Sequence, residues 1–185
     1  GLISIPLVAT YVIRKLPQIA NKIAPVIANI FTPIVLTTLI IFLISMISSG
    51  QDPYNDRDFL LIFNILLIAV MGIIVFSVAG ASQIRRQKFT IISLSLLTIV
   101  TVIIDLIALS AILYRLGEYG FTPNRITVLA SNILILGNLI LFIRDFYKAN
   151  FKNEGLNKIE TTIARYLPVY AIYTLIVVFL FPVLF

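Results

Sequence analysis

The chain has 185 residues, 60% of them apolar and 12% charged, with a formal net charge of +6. Soluble domains carry about 45–50% apolar and about 25% charged residues, so a water-soluble core is excluded by composition. The chain has no cysteine and no histidine, which removes disulfides, thiolate metal sites, thiol nucleophiles and the commonest general base and metal ligand.

Residues 1–13 form an apolar run ended by Arg14 and Lys15. The run has no basic segment ahead of it and no small-residue cleavage site, so it does not read as a signal peptide. It is also too short to cross about 30 Å of hydrocarbon, and reads as the cytoplasmic end of a helix whose start is missing. In residues 18–31, Ile19, Ile23, Val26, Ile27 and Ile30 recur at helical spacing between polar residues. Two readings stand side by side: an interfacial amphipathic helix, or an extension of the next span kinked at Pro25.

Five predominantly apolar stretches of membrane-spanning length follow, at residues 32–48, 59–79, 89–113, 126–143 and 166–185. Four of them hold no charge. Unsatisfied backbone groups are costly in lipid and no stretch alternates polar with apolar residues, so helices are expected rather than a barrel. The expected fold is all-α: one polytopic transmembrane helical bundle of five complete spans plus a partial N-terminal helix. Aromatic residues mark the span limits at Tyr54 and Phe59, Tyr114 and Tyr119, Phe146 and Tyr147, and Tyr166 and Tyr170.

Basic residues set the orientation, since Lys and Arg concentrate in cytoplasmic loops. Arg14, Lys15, Lys22, Arg85, Arg86, Lys88, Arg144, Lys148, Lys152, Lys158 and Arg165 fall on one face, and only Arg57, Arg115 and Arg125 on the other. This alternation predicts an external C-terminus. Basic loops lying against an anionic leaflet account for the net charge without a nucleic-acid partner.

The outer loop at residues 52–59 carries Asp52, Asp56 and Asp58. Their number and spacing fall short of a calcium loop and suit Asx-turn and cap chemistry, so no metal site is expected. Asp105 is the one ionisable side chain well inside a complete span. An Asp at mid-helix costs about 2.5–3.5 kcal/mol on insertion scales, so compensation is required. Thr98, Thr101, Asp105 and Ala108 share one polar, small stripe, which should point Asp105 into the bundle. Counted from Leu113 it lies about 12 Å deep, in the outer half of the bilayer.

Two roles compete for Asp105: a proton or cation site in a transporter, or a structural hydrogen-bonding group, for which Arg115 and Arg125 are candidate partners. The loop YRLGEYGFTPNR, residues 114–125, is the densest polar cluster. Gly120 suits a left-handed helix end, Thr122 an N-cap and Pro123 the first helical position. Arg115 and Glu118 are spaced to pair on one turn, and Arg125 rises from the next span. With Asp105 below, these residues either bind an external anionic group or lock a salt-bridged hairpin.

Asn64, Asn132 and Asn138, with Ala69, Gly72, Ser131 and Gly137, are the polar and small residues within the spans, and interhelical packing is their expected use. No phosphate-loop, nucleophile-elbow, zinc-protease or dinucleotide pattern occurs. Accordingly no catalytic residue and no cofactor are expected.

The stretch ALSAILYRLGEYGFTPNRITVLASNILILGNLILF, residues 108–142, resembles the core signature of the bacterial membrane family called domain of unknown function 4153. Residues 52–68 and 165–185 are also similar to Bacteroidota members. The resemblance implies a many-helix inner-membrane protein, of which this chain corresponds to the C-terminal portion, and it brings no reaction or ligand. The expected role is a non-catalytic scaffold, sensor or assembly subunit, whose partners are the lipid bilayer, missing N-terminal helices and other membrane subunits. The alternative is a transporter in which Asp105 carries the coupling cation and Arg115 and Arg125 attract an anion. A third possibility is an enzyme acting on lipid-linked substrates through Asp105 or Glu118.

Overall fold

A segment dissolved in hydrocarbon must satisfy its backbone donors and acceptors within itself, and the helix does so at every length. The computed structural model describes residues 17–50, 52–54, 57–81, 87–151 and 157–184. Helix α1 spans Pro17–Ser48, α2 Arg57–Ala81, α3 Gln87–Tyr119, α4 Pro123–Phe151 and α5 Asn157–Leu175. A π turn, Ile176–Leu180, joins α5 to a last short helix, α6, at Phe181–Leu184. The run at residues 1–13, and Arg14, Lys15, Arg85, Arg86, Lys152 and Asp56, lie outside the described residues.

The expected all-α bundle is what the chain forms. Five of its helices are long and apolar enough to cross a membrane, and no strand occurs among the described residues. Helix α1 runs unbroken from Pro17, so the segment ahead of residue 32 and the span are one helix. The π turn has a local cause. Pro182 has no N–H to offer Val178, and the Phe181 N–H bonds Ile176 instead, one residue further back than in an α-helix.

Helix α3 is the hub, packed against α1, α2 and above all α4. At the α1–α2 seam Phe42 stacks on Phe59 with ring centroids 5.9 Å apart and meets Phe63 edge-on at 5.6 Å. Near the opposite end of that seam the buried Thr32 and Ser77 hydroxyls share a hydrogen bond of 3.1 Å. Large apolar side chains such as Ile41, Ile65 and Val183 face outward, as they must where lipid is the solvent.

Helix α5 is held differently. Ile159 is its one buried residue among those described, and its link to α4 is a ladder of hydroxyl groups. Tyr173 donates to the Thr127 carbonyl at 2.6 Å and Tyr166 to the Leu134 carbonyl at 2.9 Å. Tyr170, between the two on α5, accepts from the Asn138 amide at 3.1 Å.

Gly137 makes room for this ladder: a Cβ there would lie 2.7 Å from the Tyr166 hydroxyl, with the next ring atom at 3.8 Å. Gly137→Ala should therefore push Tyr166 off Leu134 and cost about 1–2 kcal/mol. In a Tyr166→Phe background the clashing atom is gone, and the same change should be nearly silent. A double-mutant cycle followed by circular dichroism during titration with dodecyl sulfate checks this; additive losses would refute the clash.

Candidate functional site

The turn between α3 and α4 has the geometry that glycine and proline impose. Gly120 takes φ +75°, where a Cβ would be strained, and its N–H bonds the Leu116 carbonyl at 3.1 Å. Thr122 caps α4, its hydroxyl accepting from the Arg125 N–H at 3.4 Å, and Pro123 opens the helix. The expected punctuation at Gly120, Thr122 and Pro123 is all present.

The expected charge pairing is not. Arg115 and Glu118 form no ion pair with each other. Glu118 is exposed, and the Arg115 guanidinium instead lies against the Tyr119 ring, 5.9 Å from its centroid. Arg125 approaches the same ring at 5.6 Å while its Nη1 donates to the Tyr119 and Gly120 carbonyls at 2.8 and 2.7 Å. Tyr119 thus gathers two like charges on one ring, and the α3 carbonyls at the helix end, carrying partial negative charge, hold Arg125 there.

Arg115 and Arg125 line a cleft of about 330 Å³ between the ends of three helices. Helix α2 contributes Leu60, Leu61 and Asn64, and Ile112 of α3 and Val128 of α4 complete the apolar wall. Thr122 and Asn124 edge it beside the arginines, and no carboxylate is among its described lining residues. One guanidinium nitrogen of Arg115, Nη1, and the Asn64 carbonyl oxygen are buried without a hydrogen-bond partner.

Asp105 does point into the bundle. Thr98, Thr101, Asp105 and Ala108 are all fully buried. Pairing with Arg115 or Arg125, the candidate partners of Asp105 in a structural role, does not occur: both carboxylate oxygens are buried with no hydrogen-bond partner. The reason is distance and prior commitment. Arg115 lies ten residues further along α3, about 15 Å of helix axis, and Arg125 is engaged at the helix end. The Thr98 and Thr101 hydroxyls donate to the Leu94 and Leu97 carbonyls, each at 2.7 Å, so neither serves the carboxylate.

Asp105 precedes Gly120 by fifteen residues and Asn138 follows Pro123 by fifteen, which puts both about 22 Å from the turn on antiparallel helices. The Asn138 carbonyl oxygen is likewise buried and unpartnered. A second cleft, of about 400 Å³, opens at this level. Helix α2 lines it with Ile68, Met71, Gly72 and Val75, and Ser131, Ile135 and Asn138 of α4 face them. Tyr170 and Tyr173 of α5 close one side.

Asp52 accepts from the Tyr54 N–H at 2.9 Å, an Asx turn. Tyr54 in turn bonds Ser110 at 3.2 Å and packs edge-on against Tyr114, tying this loop to α3.

One buried acid escapes a sequence reading altogether. Asp145 of α4 is bonded at one oxygen by its half-exposed neighbour Arg144 at 3.1 Å and at the other by the Thr162 hydroxyl of α5. An Arg-Asp pair just past a span looks like surface charge, and only the return of α5 over it reveals a buried clasp. No family model, curated protein or solved structure matches the chain.

Proposed function

We propose that this integral membrane protein is a non-catalytic scaffold, sensor or assembly subunit that binds an anionic group in the cleft formed by Arg115 and Arg125. The observation that carries this reading is the pair of guanidinium groups lining one cleft, with no carboxylate among its described lining residues. The split of basic residues between alternate loops supports an external position for the cleft and for the C-terminus in a bacterial cytoplasmic membrane. The residue pattern at 108–142 supports membership of the family named above. Glu118 is exposed and neither it nor Asp105 lines the cleft, and other membrane subunits are the partners proposed for its rim.

Arg115→Gln tests the reading cleanly, because Arg115 holds no backbone carbonyl. Hydrogen bonds to a charged group contribute about 1.5–3 kcal/mol, so binding of inorganic phosphate to the purified protein, followed by phosphorus NMR, should weaken tenfold or more. Unchanged phosphate binding, or none in the parent protein, would reject the cleft as an anion site.

One observation favours transport as a second reading. The two Asp105 oxygens and the Asn138 carbonyl oxygen are acceptors without donors at one level of the bundle, an arrangement that a proton or a cation completes. Asp105→Asn should then abolish ion-dependent flux in a protein that still folds and inserts. Unaltered flux in reconstituted vesicles would remove this reading.

A further inference from the structure

The two clefts lie one beyond the other along α2 and α4. On α2, Asn64 lines the first, and Ile68 and Gly72 line the second, at spacings of four residues. On α4, Val128 lines the first, and Ser131 and Ile135 the second, at spacings of three and four. Residues so spaced share one face of a helix, so the two clefts lie in line along the α2–α4 furrow. From Leu60 to Val75 it covers about 22 Å of helix axis, more than the ~15 Å depth of hydrocarbon in one leaflet. Leu61, which lines the first cleft, is 48% exposed, so an apolar part of its lining is open to the surroundings of the bundle.

Charge and polarity are graded along the furrow. Two arginines stand at one end, and beyond Asn64 the walls are mainly apolar. A free anion would use only the first cleft. We infer that the anionic group held by Arg115 and Arg125 is the phosphate of a membrane lipid, whose hydrocarbon chain lies in the furrow between α2 and α4. This rests on the anion-binding reading above and adds the lipid to it. Phosphate suits planar guanidinium donors, and a lipid brings its chain from the side without leaving the bilayer.

Spin-labelled phosphatidylglycerol and phosphatidylcholine, compared in nanodiscs holding the whole chain, measure the headgroup preference. Inorganic phosphate, titrated in phospholipid-free detergent, measures the free anion. Two variants separate head from chain. Arg115→Gln removes a headgroup donor. Gly72→Leu narrows the furrow at a position where no atom lies within 4 Å of an added Cβ, and circular dichroism checks that the variant keeps its helical fold.

The expected result is at least a fivefold preference for phosphatidylglycerol, lost in Arg115→Gln and reduced severalfold in Gly72→Leu, with phosphate binding unaltered by Gly72→Leu. Arg115-dependent phosphate binding with equal retention of the two lipids overturns the lipid assignment and leaves the anion site standing. A preference that survives both substitutions also overturns it, placing the lipid elsewhere. If neither lipid nor phosphate depends on Arg115, both readings fall together.

Discussion

Replacing Thr162 by Val is expected to cost about 1–3 kcal/mol of stability, because one oxygen of the buried Asp145 carboxylate then loses its hydrogen bond. Combined with Arg144→Gln, the loss should rise to about 3–5 kcal/mol, the range for a buried charge stripped of its partners. Arg144 is 54% exposed while the Asp145 side chain is fully buried, so Arg144→Gln alone should do less than Thr162→Val. A further Asp145→Leu change in the doubly stripped protein should recover most of the deficit, since it removes the charge that lost its partners. Dodecyl sulfate titration followed by far-ultraviolet circular dichroism reports all four proteins. Failure of Asp145→Leu to rescue would show that the cost came from packing.

Asp105→Asn should have the opposite sign. Its carboxylate is as deeply buried as that of Asp145 but accepts from no group, so its ionised form carries a desolvation cost with nothing to offset it. The nearly isosteric amide removes that cost. A gain of about 1–3 kcal/mol is expected in the same titration. A loss instead would mean that the carboxylate holds something the native bundle needs, a bound cation being the first candidate. The two buried acids thus make a matched pair, one structural by its contacts and the other unexplained by them.

Much of the architecture is legible in residue order because hydropathy and helix punctuation are local. Charge-free runs locate the spans, and Gly120, Thr122 and Pro123 mark a helix end and a helix start whatever surrounds them. The burial of the Thr98–Asp105 stripe is equally legible, since periodicity alone selects that face. Partner choice is not. Spacing three apart allows Arg115 to reach Glu118, but a tyrosine ring on the same helix and a cleft beside it offer the guanidinium another place. The clasp at Asp145 and the fit of Gly137 against Tyr166 each join residues from separate helices, and spacing along one helix is silent about both.

The hydroxyl ladder on α5 bears on how the protein should be handled outside its membrane. Hydrocarbon offers Tyr166, Tyr170 and Tyr173 no competing partner, whereas water does, so the bonds that hold α5 are strong where the surroundings are dry and weak where water enters. Small micelles that admit water along this helix should loosen it before the aromatic α1–α2 seam gives way. Long-chain detergents or nanodiscs should keep it seated, and any purification that trims the solvating layer puts α5 at risk first.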